Sequence, residues 1–218
     1  MNMSIELLNI DCMKAMEEMP DKAFDLAIVD PPYGIEKEIS TGGGSHTKSA
    51  VKFHQLYSES GKKWDKAPGP EYFKELFRVS KNQIIWGGNY FELPPCRCFV
   101  VWDKVRVVNN FSQAEYAWTS FDRPAKVFRF CGNAGFILSP EDEKIHPTQK
   151  PVSLYRYLLD EFAGLSDKIL DTHFGSGSSA LACWEMGRDL VGFDTDEEYT
   201  RKALARLEQH KTQGSIFV

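Results

Sequence analysis

Two short stretches hold residue types able to bind a flat, nitrogen-bearing ligand and do chemistry on it. Asp30-Pro31-Pro32-Tyr33 follows the apolar run Leu26-Ala27-Ile28-Val29, so an acid, two prolines and an aromatic ring stand where a buried strand runs out. Proline lacks an N–H and fixes φ near about −65°, which leaves the neighbouring carbonyls free to accept hydrogen bonds from a ligand. Asp30 adds a carboxylate acceptor and Tyr33 a stacking face. Such a rim suits a planar base with an amino group. Asp and Pro also merely terminate strands, and this stretch alone leaves that reading open.

The second stretch, 168–178, is a short apolar strand that runs through Asp171-Thr172-His173-Phe174 into the turn Gly175-Ser176-Gly177, with a helical pattern after it. Glycines at 175 and 177 let backbone approach a ligand closely, and the free N–H groups of the following helix suit a carboxylate or phosphate. No Gly-Lys-Ser/Thr follows, so this is not a phosphate-binding Walker loop, and Ala180 occupies the last slot of a dinucleotide fingerprint. Leu190-Val191-Gly192-Phe193-Asp194 then supplies a second strand ending in an acid able to accept from ribose hydroxyls. Strand, glycine turn, helix, strand and acid together describe a nucleoside-binding half-site.

In these residues the chain resembles the DPPY-type amino-methyltransferases of DNA, which use S-adenosylmethionine. The resemblance spans nearly the whole chain. Asp30-Pro31-Pro32-Tyr33 matches the family's tetrapeptide for the flipped base, and 171–177 its Asp-Pro-Phe-x-Gly-Ser-Gly turn, with Thr172 where Pro is usual. Asp194 matches its ribose ligand, His146-Pro147-Thr148-Gln149-Lys150-Pro151 its His-Pro-Thr-x-Lys-Pro element, and Asn9-Ile10-Asp11-Cys12 its Gly-Asp-Cys segment with the glycine replaced. The order, catalytic tetrapeptide first and cofactor turn last, resembles the permuted beta arrangement.

The resemblance implies roles. Asp30, Pro31, Pro32 and Tyr33 are the expected catalytic residues, with Tyr33 stacking on an extruded base because chemistry inside a duplex requires flipping. Asp171, Phe174, Gly175 and Gly177 are expected at the methionine and sulfonium end of the donor, Thr148 and Lys150 at its carboxylate, Asp11 and Cys12 at its adenine, and Asp194 at its ribose. Asp before Pro-Pro favours adenine N6 as the target, with cytosine N4 as the alternative and a catalytically silent DNA-binding protein on the same scaffold as a third reading. If Asp30 and the Pro31 carbonyl accept the two N–H groups of the amine, its lone pair is directed at the methyl group without a covalent enzyme intermediate. Methylation at carbon would need a thiolate; Pro95-Cys96 has that local look but no activating neighbour.

The elements that must position these residues alternate. Strands are predicted over 7–11, 24–29, 83–86, 98–102, 169–171 and 190–194, and helices over 12–19, 71–79, 151–162, 178–186 and 197–208. Residues 114–120 and 125–130 read as antiparallel strands around the turn Asp122-Arg123-Pro124. The expected fold is a doubly wound, Rossmann-like α/β methyltransferase sheet of permuted motif order, mostly parallel with an antiparallel hairpin. One catalytic domain is expected over 1–218, with a mobile loop at 34–70 and a small target-recognition segment at 121–143, where Arg123, Lys126 and Arg129 could reach a groove or phosphates.

Composition agrees with such a domain. At 218 residues and 42% apolar content the chain buries a core without disulfides, and the odd cysteine count of 5 points to a reducing compartment. Cys96-Arg97-Cys98 has no second pair, so no structural metal is expected. No secretory or membrane segment is apparent, so the expected location is the cytoplasm, nucleoid-associated if the source is a bacterium or its phage. The net charge of −5 excludes a basic coat but not a local phosphate footprint. The expected partners are double-stranded DNA, read through a short site by so small a reader, and a second copy in a homodimer.

Overall fold

The computed structural model describes residues 3–35, 66–105, 112–130, 144–146 and 148–214. Within them the chain forms β1 (Ile5–Asn9), α1 (Cys12–Glu17), β2 (Phe24–Val29), α2 (Pro70–Val79), β3 (Ser80–Trp86), a 3-10 turn (Gly88–Tyr90), β4 (Phe99–Asp103), β5 (Ala114–Thr119), β6 (Lys126–Arg129), α3 (Val152–Phe162), β7 (Lys168–Asp171), α4 (Ser178–Glu185), β8 (Asp189–Asp194) and α5 (Glu197–Gly214). The described strands make one sheet in the order β1-β8-β7-β2-β3-β5-β4-β6.

Neighbours pair in parallel except at β5, which runs against both β3 and β4. The sequence reading of β5 and β6 as a hairpin is corrected here. They point in opposite directions, but β4 lies between them, and the antiparallel pairing joins β5 to β4, with Val100 opposite Ala117. The fold is the expected Rossmann-like α/β sheet, mostly parallel.

Alternation along the central strands explains the two layers. Leu26, Ile28, Ile84, Trp86 and Ile169 point into one core with α3, α4 and α5, while Ala27, Val29, Ile85 and Leu170 point into the other with α1 and α2. Strands covered on both faces are apolar on both, which is why 26–29 of β2 reads as a continuous hydrophobic run. Each fully buried Leu or Ile contributes about 1.5–3 kcal/mol. α2 begins with Pro70, whose missing N–H costs nothing in a first turn, and buries Tyr72, Phe73, Leu76 and Val79 along one stripe. Arg78 ties α2 to α1 by donating to the carbonyls of Met16 at 2.6 Å and Met19 at 2.7 Å.

Of the expected loop 34–70, positions 36–65 lie outside the described residues; its two ends meet, since Gly34 at φ +72 would bring a Cβ to 3.3 Å from that of Ala67. Of the expected recognition segment, positions 131–143 lie outside as well.

Candidate active site

Register places the acids singled out in the sequence along one edge. β1, β8, β7 and β2 are consecutive parallel neighbours, with Asn9 opposite Asp194, Asp171 opposite Gly192 and Ala27 opposite Leu170. Asp11, Asp194, Asp171 and Asp30 therefore stand at the carboxyl ends of four adjacent strands, and Gly87 follows at the end of the fifth, β3. In open α/β sheets this edge carries the ligand crevice.

At the tetrapeptide, both Asp30 carboxylate oxygens are engaged. Oδ1 accepts from the Tyr33 hydroxyl at 2.6 Å, and Oδ2 pairs with the Lys150 ammonium. Lys150, only 5% exposed, also reaches Glu115 Oε2 at 3.2 Å, and Glu115 Oε1 takes Lys104 at 2.6 Å. Two lysines thus alternate with two carboxylates, the neutral arrangement that burial of charge demands. Burial alone would lower the Lys150 ammonium; Asp30 and Glu115 outweigh it and hold Lys150 above the ordinary lysine range. Burial likewise would raise the Glu115 carboxyl, yet Lys150 and Lys104 draw it below the usual carboxylate range. The Tyr33 phenol is pushed well up by burial and by the charges of Asp30 and Glu115, so it stays a neutral donor.

The Tyr33 ring is placed by what is missing beneath it. Gly87 sits at φ +67, and a Cβ there would lie 2.2 Å from Tyr33 Cε1. Tyr90, which is 48% exposed, stacks on Tyr33 with centroids 4.9 Å apart, and Phe91 meets it edge-on at 6.1 Å. Pro31 is buried and Pro32 half-buried beside them.

The glycine turn is built differently. Asp171 is 1% exposed; its Oδ1 accepts from the His173 N–H at 3.1 Å, while Oδ2 makes no hydrogen bond of good geometry among the described residues, the Ser179 hydroxyl being its polar neighbour. Burial lifts this carboxyl to about 7, opposed by the Ser179 hydroxyl and the His173 N–H and aided by the charges of Asp30 and Asp194. Gly175 (φ +49) donates its N–H to Asp194 Oδ2 at 3.0 Å, and Gly177 (φ +71) opens α4 with no side-chain cap. That helix N-terminus suits an anionic group. Burial raises Asp194 as well, and its Oδ1 accepts from the Asp196 N–H at 2.9 Å. From α5, Arg206 holds the turn by donating to the Ser176 carbonyl at 3.0 Å and to Ser178 Oγ at 3.1 Å.

The remaining predicted residues are distributed around this turn. Asp11 caps α1, accepting from the Met13 N–H at 2.9 Å, and the Cys12 thiol beside it is pushed up to about 12 by burial and then by Asp11. Phe174 is buried, with Gly192 leaving room for its ring. Thr148 is exposed, its hydroxyl 3.2 Å from Nδ1 of His146, whose ring packs over Gly175 and against Tyr199. Thr172, standing where Pro was usual, has its hydroxyl 2.6 Å from Tyr72 OH and 2.9 Å from His173 Nδ1.

Lys150, read from the sequence as a partner for a donor carboxylate, is brought to Asp30 instead. Arg123 and Lys126, read as groove contacts, turn back onto α3: Arg123 donates to the Glu161 carbonyl at 2.7 Å and lies 3.9 Å over the Phe162 ring, and Lys126 pairs with Glu161 at 2.7 Å. Arg129 is exposed and pairs with Asp103 at 3.2 Å. Glu115, Lys104, Tyr90 and Gly87 were missed. Only Trp86-Gly87-Gly88, a glycine pair at the end of an apolar run, carried a sequence signal of close approach.

Comparison with known proteins fits this geometry. Residues 98–205 match the N6/N4 family described as DNA methylase. The chain is 22% identical over 255 aligned positions to the Type II methyltransferase M.HinfI of Haemophilus influenzae, covering 94% of this chain and 68% of that one. Among solved structures, the M1.HpyAVI-SAM complex superposes with a TM-score of 0.55 at 17% identity, over 93% of this chain and 98% of that one. The cytosine-N4-specific PvuII DNA methyltransferase gives 0.60 at 12% identity, over 97% and 91%. At such identities the two structures speak for the fold.

Proposed function

We propose that this chain, which belongs to the N6/N4 DNA methylase family, transfers a methyl group from S-adenosylmethionine to the N6 amine of an adenine turned out of double-stranded DNA. The observation that carries the reading is the placement of Asp30, with Tyr33 beside it, on the strand next to the buried carboxyl of Asp171. The family covers both amines, and the resemblance of Asp before Pro-Pro to its adenine-directed form is what supports adenine over cytosine.

The residues present fit the donor. A buried Asp171 carboxyl that no cation pairs with among the described residues suits a cationic ligand, the uncapped start of α4 suits a carboxylate, and Asp194 suits ribose hydroxyls. S-adenosylmethionine, when bound, supplies an electrophilic methyl group on positively charged sulfur. Asp171 would face its positive end, Gly175 and Gly177 would let it approach the backbone, and Asp11 and Cys12 would meet its adenine. On the other side, each Asp30 oxygen keeps a second lone pair beyond the one used by Tyr33 or Lys150, so Asp30 accepts one amine N–H while the Pro31 carbonyl accepts the other. Those bonds draw the amine lone pair out of conjugation and aim it. Tyr33 presents its ring to the base; with the donor bound, forming the C–N bond would break the donor's C–S bond to leave a neutral thioether, and the amine proton would pass to Asp30 as the nearest acceptor.

Incubating the protein with mixed-sequence DNA and donor, digesting to nucleosides and resolving them by mass tests this. N6-methyladenine is expected. N4-methylcytosine as sole product would overturn the adenine assignment, and DNA binding with no methylated nucleoside and no donor affinity would favour a silent DNA-binding protein.

A further inference from the structure

We propose that Glu115 is a positioning residue for methyl transfer: by holding Lys150 between two carboxylates, it sets how firmly Lys150 engages Asp30. The inference rests on the proposed transfer to an amine at Asp30. Glu115 enters from β5, the strand that runs against its neighbours, opposite Trp102 of β4. Lys104, just beyond β4, fixes its Oε1 at 2.6 Å while packing 5.1 Å from the Trp102 ring. That leaves Oε2 pointing at Lys150, 3.2 Å away.

Asp30 must accept an amine N–H on a carboxylate already shared with Lys150. With Glu115 present, the ammonium divides its attraction between two acids. Without it, the same ammonium, confined by the Trp86 ring at 5.3 Å and the Tyr33 hydroxyl at 3.5 Å, has Asp30 alone to satisfy it. It would then grip the oxygen that the incoming amine needs. Lys150 is faced by Asp30 and Tyr33 from the end of β2 and by Glu115 from β5, with Lys104 behind Glu115; Tyr155 of α3 feels Asp171 and then Asp30 and Glu115, and His146 feels Lys150. Within that set Glu115 is the group whose removal leaves the Asp30–Lys150 contact intact yet changes its strength.

The test compares wild type, Glu115→Gln and Glu115→Asp as full chains. NMR titration of ¹³Cε-labelled lysines, with Lys150 assigned by its loss in Lys150→Met, reads the ammonium without substrate; single-turnover transfer at saturating donor and DNA reads the chemistry, and calorimetry the donor affinity. Removing a negative neighbour destabilises the charged ammonium, so in Glu115→Gln the Lys150 midpoint falls by about one pH unit or more. Transfer slows by about tenfold or more, donor affinity stays within about twofold, and Glu115→Asp recovers part of the rate. An active wild type whose Lys150 midpoint and rate are both unmoved by Glu115→Gln overturns the role of Glu115. So does a rate loss matched by lost donor affinity with an unmoved midpoint, which marks a merely structural residue. A wild type that transfers nothing to DNA overturns the proposed function itself, and the midpoint alone then reports whether Glu115 and Lys150 are linked.

Discussion

Replacing Asp171 by Asn should make the donor-free protein more stable above neutrality. The carboxyl titrates at about 7 in the fold against 3.8 for a free side chain, so the folded protein keeps a proton that the unfolded chain releases. Its contribution is fully present below pH 3.8 and is lost as pH rises to about 7, at a rate of about 1.4 kcal/mol per unit, or about 4 kcal/mol in all. Asn keeps the Oδ1 acceptor for the His173 N–H and has nothing to ionise. Urea unfolding of both proteins at pH 5 and pH 8 should show a gap that moves in the variant's favour by about 2.6 kcal/mol, the part of the loss that falls between pH 5 and about 7, a sizeable share of the roughly 5–15 kcal/mol typical of a domain. Donor binding should move oppositely. A cationic ligand prefers ionised Asp171, so wild-type affinity rises by up to about fiftyfold between pH 5 and 7, while the variant binds weakly with a flat profile. A stability gap that stays constant with pH would mean that Asp171 is already ionised and solvated, and the reasoning from burial would be refuted.

Gly87→Ala forces a left-handed φ on a residue with a Cβ, costing about 1–2 kcal/mol, and drives that Cβ into the Tyr33 ring. Methyl transfer should fall while calorimetric donor affinity is retained, since the change lies on the base side of the edge. Thr172→Val strips the hydroxyl from Tyr72 and His173 in a buried turn; urea titration should report a loss of about 1–3 kcal/mol, with donor affinity reduced because the glycine turn loses its brace.

The sheet was legible because its signals are local. The runs at 24–29, 83–86 and 190–194 and the amphipathic spacing in 71–79 announce their own elements, and the two-face alternation of Leu26, Ala27, Ile28 and Val29 follows from the pleat. What failed was non-local. Asp122-Arg123-Pro124 has the chemistry of a hairpin turn, yet turn chemistry does not say which strand fills the space beside β5, and β4 fills it. Glu115 looks like an ordinary solvent-facing acid in a strand until Lys104 and Lys150 arrive from separate segments to neutralise it. Arg123 and Lys126 read as free cations because Glu161, which holds both, lies far along the chain.

The pairing of β2 with β7 bears on how this protein is made. β2 ends at Val29 and its partner begins at Lys168, so a chain emerging from the ribosome carries an open strand edge until most of its length has been synthesised. The helices that share a core with Leu26 and Ile28 are made late as well, α3 just before β7 and α4 just after it. Such late, distant contacts slow folding and expose sticky edges on the way. Asp30 and Asp171 come together only when β7 docks on β2, so a chain cut before Lys168 lacks the glycine turn and Asp194 and cannot assemble the proposed donor half of the site.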